Sequence, residues 1–381
     1  PAGGSVTKLN DAKKIAEKVG YPVILRPSYV LGGRAMEIIY SERDLTSYFK
    51  RAESFVKGQS ILVDQYINGI EIEVDALCDT EEILIPGIMQ HVERAGIHSG
   101  DSIAIYPAFD LSHEEKNAIV DATKRLGKTL GIKGLMNIQF IVKRDNKSKF
   151  TLFVIEVNPR SSRTIPFISK VTGVPMIKLA TQIMLNEKLS NLPYGLGLRD
   201  DLNLFAVKAP VFSMSKLSGV DTFLGPEMKS TGEVMGIDQD FHVAIKKAFI
   251  SKGIEINNQT PFLLSIADRD KVEAIGFIKQ LVENGNKLFA TEGTYKFIKT
   301  LGYEVTKVNK ILSRSNTVLD IIDEGKVGAI LNTVTGDRAS LQDGYYIRRR
   351  ATESSIPCYT SIDTALAYVM AISDKKINAK A

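Results

Sequence analysis

The sequence has few of the residues that build disulfide-bonded or zinc-binding proteins. Its 381 residues include two cysteines, four histidines and no tryptophan. Cys78 and Cys358 are far apart and have no Cys or His neighbours at metal-ligand spacing. This argues against a disulfide scaffold or a zinc site and favours a reducing compartment. Because no apolar run is long enough to cross a bilayer, we expect a cytoplasmic protein that does not use a membrane.

The sequence also lacks a strong excess of charge of either sign. It has 49 Lys and Arg against 44 Asp and Glu, a net charge of +5, and the basic residues are scattered. Without a basic stripe interleaved with aromatic residues, nucleic acid is not an implied partner. The slight positive excess suits small anionic ligands such as phosphates.

The usual phosphate-binding motifs are missing as well. There is no G-x-x-x-x-G-K-[ST] and no strand-preceded G-x-G-x-x-G, so a nucleotide must be held in another way. Gly32 and Gly33 offer one, because paired glycines let backbone N–H groups approach an anion closely. Taken alone, these two glycines fit an ordinary hairpin turn better.

The pattern of elements divides the chain into three parts. Residues 1–190 mix helices with hairpin-like runs of strands, which predicts an α+β unit. Residues 191–259 are less regular, and we interpret them as a connector. Residues 260–381 alternate short apolar strands with helices, which predicts an α/β unit with a parallel sheet that binds ligands at the carboxyl ends of its strands. The pattern predicts that the chain opens directly into a helix, as though cut from a larger protein.

One strand end carries oxygen ligands suited to a divalent cation. Glu156 and Asn158 share one face of a strand because side chains repeat every second residue, and Gln139 lies on the strand before it. Carboxylate and carboxamide oxygens suit a Mg²⁺ ion that also holds phosphate oxygens. Arg160 and Arg163 follow, and they would neutralise a phosphoryl group in transfer. The alternative is that Glu156 only pairs with Arg160.

A second stretch, residues 91–102, places two histidines, two acids and two serines around two glycines. This composition is unusual for a solvent loop, and we interpret it as a wall of a nucleotide or substrate pocket. His98 itself is more readily explained as a structural residue than as a catalytic base.

At this point four motifs resemble the large chain of carbamoyl phosphate synthetase. They are R-P-S-Y-V-L-G-G-R-A-M at 26–36, H-V-E-R-A-G-I-H-S-G-D-S at 91–102, E-V-N-P-R-S-S-R-T at 156–164 and G-P-E-M-K-S-T-G-E-V-M-G at 225–236. The resemblance implies a truncated α+β ATP-grasp domain followed by an α/β methylglyoxal-synthase-like regulatory domain. Since that domain follows only the second half of the family's chain, the carbamate-phosphorylating half is implied.

The resemblance implies a ligase that uses ATP to phosphorylate carbamate for pyrimidine and arginine biosynthesis. Its partners would be the missing N-terminal half of the large chain and the glutaminase small chain. We expect the isolated fragment to have little activity. The alternative is that it acts only as a nucleotide-binding regulatory module without turnover.

Roles for single residues also follow from the resemblance. The implied catalytic residues are Asn158 and Arg163, and the implied ligands of Mg²⁺ or Mn²⁺ are Gln139, Glu156 and Asn158. K⁺ would bind near Glu71, His91 and Ser99. The implied ATP-binding residues are Arg26, Gly32, Gly33, Glu71, Gly96, Ile97, His98, Ser99, Gln139 and Glu156.

In the last unit the resemblance implies an allosteric nucleotide site. Its phosphate would meet Ser265, Lys271, Thr291, Gly293, Thr294 and Lys310, and its base and ribose would lie near Asn332 and Thr333. Judged by residue type alone, the threonines are equally well explained as helix N-caps. Some family members bind ornithine between acids matching Glu93, Asp101 and a third position that falls at Ala209 here. We therefore expect UMP to be the regulatory ligand.

Overall fold

The structure is a computed structural model, and the residues that it describes form three sheets. It describes residues 1–28, 33, 35–56, 59–145, 149–214, 219, 221–255, 257–309, 311, 313, 315–333 and 338–372. Across these ranges, no helix combines the length and apolar character that a membrane span needs.

The first sheet has four antiparallel strands in the order β1–β4–β2–β3. Its strands are β1 (Gly3–Val6), β2 (Val23–Pro27), β3 (Glu37–Ile39) and β4 (Ile61–Gln65), and its helices are α1 (Leu9–Val19) and α2 (Glu42–Val56). Val23 and Leu25 are fully buried, whereas Ile24 and Arg26, which alternate with them, are partly exposed. This alternation places one face of the sheet against the helices, which contribute Ala12, Ala16 and Leu45 to the core.

The second sheet has nine strands, and its main path runs in the order β10–β9–β5–β7–β8–β12–β13. Its strands are β5 (Ile70–Asp79), β6 (Ile83–Ile85), β7 (Ile88–His91), β8 (Ala104–Tyr106), β9 (Lys133–Arg144), β10 (Phe150–Asn158), β11 (Gly197–Leu198), β12 (Phe205–Val211) and β13 (Gly232–Asp238). Neighbouring strands are antiparallel, apart from the short parallel pair formed by β11 and β6.

Helices cover both faces of this sheet. They are α3 (His113–Thr129), α4 (Ile165–Thr172), α5 (Met176–Met184) and α6 (Phe241–Ser251). Helix α3 begins with a capping box, in which the Ser112 hydroxyl accepts from the Glu115 N–H and the Glu115 carboxylate accepts from the Ser112 N–H. It packs on the face that carries Ile72 and Val74, whereas α4 and α5 pack on the opposite face near Leu77.

The third sheet is parallel, with the order β16–β15–β14–β17–β18. Its elements are β14 (Phe262–Ser265), α7 (Ala274–Glu283), β15 (Leu288–Thr291), α8 (Glu292–Thr300), β16 (Thr306–Val308), α9 (Val318–Asp323), β17 (Ala329–Asn332), α10 (Arg338–Glu353), β18 (Cys358–Tyr359) and α11 (Ile362–Ile372). Phe262 and Leu264 face α7 and α11, whereas Leu263 faces α9 and α10. Helices therefore cover both faces, as the alternating pattern predicts.

Helix α6 connects the second and third sheets. Asp240 caps its first turn by accepting from the N–H groups of His242 and Val243. The buried residues of α6 belong to one apolar core that includes Val207 of β12 and Phe262 of β14. On the side of α11, the rings of Phe249 and Tyr368 meet edge to face, with centroids 5.7 Å apart. The two sheets therefore share a core.

Residues 191–259 are more regular than their sequence indicates. They contain β12, β13 and α6, and the two strands complete the edge of the nine-stranded sheet. The strand pattern is hard to recognise because β12 contains Lys208 and Pro210 and β13 contains two glycines, all residues that strands disfavour.

Gly236 on β13 provides a test of the packing between this sheet and α6. A Cβ at Gly236 would lie 2.2 Å from the Ala244 carbonyl oxygen and 2.4 Å from the Ala248 nitrogen. We expect Gly236→Ala to lower the free energy of unfolding by about 2–3 kcal/mol, because the helix backbone must move away.

The matched control is Gly232→Ala on the same strand, where the nearest atom lies 4.0 Å from the added Cβ. This variant should change stability by less than about 1 kcal/mol, since alanine suits a strand better than glycine does. Urea denaturation of both variants measures the difference, and equal midpoints would contradict the packing described here.

Candidate active site

Two polar rows cross three neighbouring strands of the second sheet. The backbone register aligns Glu73 on β5, Gln139 on β9 and Glu156 on β10 in one row. The same register aligns Asp75, Asn137 and Asn158 in the next row. Because side chains two residues apart share a face, all six point to the same side of the sheet. The structure thus brings the predicted metal ligands together.

A β-bulge places Glu156 on this polar face. Val154 pairs with Phe140 and Glu156 pairs with Gln139, which leaves Ile155 without a cross-strand partner. With regular pairing, Glu156 would lie opposite Ile138, whose side chain belongs to the buried core beneath α3. The extra residue reverses the side on which the following residues lie, and bulges often direct side chains in this way beside functional sites.

The amide groups of Gln139 and Asn158 are already oriented by the protein. Gln139 Nε2 donates to Ser99 Oγ at 2.7 Å, and Asn158 Nδ2 donates to Glu156 Oε1 at 2.8 Å. Their carbonyl oxygens are therefore the atoms offered to a cation. Among the described residues no three His, Cys, Asp or Glu side chains form a metal cluster. One carboxylate with two amides suits a hard ion that phosphates also hold.

His91 lies between two buried carboxylates on β5. Its Nδ1 is 3.2 Å from Glu71 Oε1, and its Nε2 is 3.0 Å from Glu73 Oε2. Burial alone would lower the pKa of His91, but the charges of Glu71 and Glu73 and the hydrogen bond to Glu73 raise it to about 9. The imidazolium in turn holds the pKa of Glu73 low, against the effect of burial.

The segment that follows β10 folds back onto the carboxylates of β5. Ser162 Oγ donates to Asp75 Oδ1 at 2.6 Å, and Thr164 Oγ1 contacts Asp75 Oδ2 at 2.5 Å and Glu73 Oε1 at 3.1 Å. Asn137 Nδ2 donates to both acids at 2.9 Å. Burial and the neighbouring charge of Glu73 raise the pKa of Asp75 to about 6. These contacts fix the backbone around Arg163.

The loop that contains Gly96, Ile97, His98 and Ser99 lies over this face. Ser99 accepts from Gln139, and its carbonyl oxygen accepts from Nζ of the buried Lys208 at 3.2 Å. His98 Nδ1 accepts from the Gly100 N–H at 3.0 Å, which requires an unprotonated Nδ1. Burial also lowers the pKa of His98, although nearby acids partly oppose this.

Residues 221–230, which we call the strap, run along the outer side of this loop. The His98 N–H donates to the Gly225 carbonyl at 2.8 Å. Asp101 is fully buried and accepts from the N–H groups of Lys229 and Ser230, both at 2.8 Å. Arg163, which is exposed, donates to Ser230 Oγ at 2.8 Å. The strap therefore positions the predicted phosphoryl-stabilising arginine.

Gly33 and Ile38 of the first sheet's region lie against the strap and the loop around His98. Arg26 on β2 lies 3.7 Å from Asp64 Oδ2 and remains partly exposed. Gly33 has a φ of 71°, and a Cβ there would lie 1.8 Å from the Pro226 carbonyl oxygen, so only glycine fits against the strap. Gly32 lies outside the described residues. A Cβ at Gly96 would meet Ile38 of β3 at 2.4 Å.

Residues next to His91 connect this site with the third sheet. Glu93 is buried and accepts from Thr364 Oγ1 at 2.8 Å and from the Ile103 N–H at 2.7 Å. Arg94 NH1 donates to Glu273 Oε2 at 3.0 Å, and its NH2 also meets Asp363 at 3.4 Å. A cleft of about 400 Å³ opens here, with Glu71 and Asp363 among its lining residues.

The predicted allosteric residues lie apart from this site, at the carboxyl ends of three adjacent parallel strands. Ser265 ends β14, Thr291 ends β15 and Asn332 ends β17. Lys271 Nζ is 2.6 Å from Asp268 Oδ1 and donates to the Gly293 carbonyl at 3.0 Å. Lys310 lies outside the described residues.

Two of the predicted allosteric threonines have structural hydrogen bonds. Thr294 is 1% exposed, and its hydroxyl accepts from the Ile266 N–H at 2.9 Å. The Thr333 hydroxyl accepts from the Ala267 N–H at 2.8 Å. Both bonds fix the turn that follows β14.

Several residues of the site were not singled out from the sequence. The alternation of acids with apolar residues along 70–78 predicts a strand with one polar face, and such a face normally meets water. In the structure that face is buried, so its acids need partners. The missed residues are Glu73, Asp75, Asn137, Ser162, Thr164, Lys208 and Ser230.

Comparison with known families gives two matches along the chain. Residues 2–192 match the family described as carbamoyl-phosphate synthase L chain, ATP binding domain, and residues 273–360 match the MGS-like domain. A carbamoyl phosphate synthase large chain from Thermomicrobium roseum is 49% identical over 373 residues, which cover 98% of this chain and 34% of that protein. One from Agathobacter rectalis is 45% identical, covering 98% and 35%. The chain thus spans about a third of the curated relatives it matches.

Two solved structures resemble the ATP-grasp type of fold found here. One is the biotin carboxylase domain of Hydrogenobacter thermophilus 2-oxoglutarate carboxylase, in complex with MgADP, ADP and bicarbonate. It has a TM-score of 0.50 and 21% identity over 65% of this chain and 61% of that chain. Biotin carboxylase from Campylobacter jejuni has a TM-score of 0.50 and 20% identity over the same shares. At this identity the likeness concerns the fold alone.

The protonation of His91 is a measurable property of the site. Because the pKa is raised from 6.5 to about 9, this group contributes stability that is complete below pH 6.5 and is lost as pH rises through about 9. We expect the His91 Cε1 signal in a ¹³C-detected NMR titration to shift with a midpoint near 9. Glu73→Gln should lower that midpoint, since it removes one flanking charge. A midpoint at or below 6.5 in the unsubstituted protein would refute the imidazolium between Glu71 and Glu73.

Proposed function

Because this chain belongs to the family of carbamoyl phosphate synthase large chains, we propose that its ATP-binding domain phosphorylates carbamate to give carbamoyl phosphate. A carbamate oxygen would attack the γ-phosphorus of ATP, and ADP would leave. The parent protein would be a glutamine-hydrolysing ligase that serves pyrimidine and arginine biosynthesis. Its partners would be the remaining half of the large chain and a glutaminase small chain.

The observation that carries this proposal is the alignment of Gln139, Glu156 and Asn158 on one polar face, with Arg163 beside them. These residues fit a divalent ion, because both amides present oxygen atoms next to a carboxylate. A Mg²⁺ or Mn²⁺ ion held there would supply charge neutralisation for the phosphates. We also propose that a K⁺ ion binds near Glu71, His91 and Ser99.

The chain's own residues would then orient and stabilise the reacting groups. Arg26 and the backbone at Gly32 and Gly33 would hold the phosphates from the side of the first sheet, and Glu71 would bind the ribose. Arg163 would stabilise the negative charge that spreads over the transferred phosphoryl group. Its hydrogen bond to Ser230 keeps the guanidinium in place before substrate arrives.

A nucleotide site at the end of the third sheet would regulate this reaction. Ser265, Lys271, Thr291 and Gly293 surround the start of α8, where backbone N–H groups and the helix dipole favour a phosphate. Asn332 and Thr333 lie at the end of the neighbouring strand, on the side proposed for the base and ribose. Thr294 and Lys310 complete the proposed set, and UMP is the proposed ligand.

The test of the phosphorylation step is ATP formation from ADP and carbamoyl phosphate in the presence of Mg²⁺. We expect Glu156→Gln to reduce the rate by about 10²-fold or more, because it removes the only carboxylate of the proposed ligand set. Coupling the ATP to a luciferase assay gives the rate.

The matched control is Glu114→Gln, an exposed residue on α3, which should retain the unsubstituted rate. An equal rate in Glu156→Gln would contradict the role of this face. If the unsubstituted chain binds nucleotide but forms no ATP, the binding-only alternative is favoured.

The regulatory site is tested by calorimetric titration with UMP. Lys271→Met should weaken binding about tenfold or more, because a charge-assisted contact to phosphate is lost. Lys279→Met serves as the control, since this exposed lysine lies on α7 and pairs with the exposed Glu283. Equal affinities of the Lys271→Met and Lys279→Met proteins would place the nucleotide elsewhere.

A further inference from the structure

We propose that Arg348 is a positioning residue for phosphoryl transfer, although it belongs to the third sheet's helix α10. It anchors one end of the strap, and the strap carries this constraint to Arg163 and to the loop around His98. The proposal rests on the function proposed above and adds a residue that touches neither substrate nor metal.

The anchor is a two-pronged ion pair formed by a buried arginine and a partly exposed aspartate. Arg348 is 1% exposed, although it carries a permanent charge. Its Nε donates to Asp221 Oδ1 at 2.7 Å and its NH2 donates to Asp221 Oδ2 at 2.6 Å. The third nitrogen, NH1, donates to Asn332 Oδ1 at 2.6 Å. Such a fork fixes both the distance and the orientation of the carboxylate.

The strap is braced internally, so a displacement at Asp221 reaches its other end. Lys229 Nζ donates to the carbonyl of Asp221 at 2.9 Å and also to that of Phe223. The Leu224 N–H donates to Thr360 Oγ1 at 3.3 Å. Lys229 thus links the two ends of the strap to each other.

The far end of the strap contacts both the active-site loop and Arg163. The N–H groups of Lys229 and Ser230 each donate to one carboxylate oxygen of the buried Asp101. The Ser230 hydroxyl accepts from Arg163 NH1 at 2.8 Å and donates to the Gly100 carbonyl at 2.9 Å. Pro226 limits the space above Gly33. Loss of the anchor would therefore disturb Arg163 and the loop around His98 together.

Asn332 connects the Arg348 anchor to the proposed nucleotide site. Its side-chain oxygen accepts from Arg348, and it stands in the proposed nucleotide site. A ligand that engages the Asn332 amide would compete with Arg348 for that oxygen. The same guanidinium would then transmit occupancy of the regulatory site to the strap.

The experiment compares Arg348→Met, Arg348→Lys and Asp221→Asn in the full-length protein. Amide hydrogen exchange at His98, Lys229 and Ser230 should accelerate at least tenfold in Arg348→Met and Asp221→Asn, and the double variant should show no further increase. Arg348→Lys should be intermediate, because lysine keeps the charge but makes no fork. In ATP synthesis from carbamoyl phosphate, the kcat of Arg348→Met and of Asp221→Asn should fall about tenfold, while their KM for ADP should change less than threefold.

The matched control is Arg350→Met on the same helix. Arg350 also forms a two-pronged pair, with Asp323 at 2.5 and 2.7 Å, but this pair is exposed and does not touch the strap. Arg350→Met should leave exchange and kcat unchanged. Unchanged exchange at His98, Lys229 and Ser230 in Arg348→Met would overturn the proposal, as would equal effects from Arg350→Met.

Failure of the proposed function would be visible separately. If the unsubstituted protein forms no ATP from carbamoyl phosphate, the kinetic comparison fails for all variants alike. The exchange comparison still decides whether Arg348 controls the position of Arg163 and of the loop around His98.

Discussion

The site depends on the neutralisation of acids that one strand buries. Strand β5 carries Glu71, Glu73 and Asp75 on a single face, and none of the three is more than 6% exposed. Charges in such a place must be paired or hydrogen-bonded, because burial without a partner is very costly. The imidazolium of His91, the amide of Asn137 and the hydroxyls of Ser162 and Thr164 meet this requirement.

Much of the site's shape follows from that requirement. The turn after β10 folds back so that Ser162 donates a hydrogen bond to Asp75, and this turn directs Arg163 outward to the strap. Asp101 is a further buried acid that needs hydrogen-bond donors, and it accepts from two N–H groups of the strap backbone. Glu93 takes one of its partners from Thr364 on α11. Buried carboxylates therefore join three separate parts of the chain.

The sequence predicts the fold class and the residues that motifs carry, but not the ways in which they meet. Spacing places Glu156 and Asn158 on one side of a strand, as the structure has them. Only the bulge at Ile155 decides which side of the sheet that is, and no residue type there indicates it. Glu73 and Asp75 resemble surface acids in sequence, because their burial depends on the segment around Ser162. The strap has no regular secondary-structure pattern in its sequence, and its position depends on distant partners such as Arg348.

The shared core around α6 bears on how such proteins are recombined. Its two apolar sides belong to different sheets, and Phe249 lies against Tyr368 while Ala244 and Ala248 lie beneath β13. A chimera that exchanges the last unit between relatives must choose a junction, and no junction beside α6 leaves both of its surfaces with their native neighbours. The last unit therefore keeps its native core only when the strands that pack against α6 are exchanged together with it.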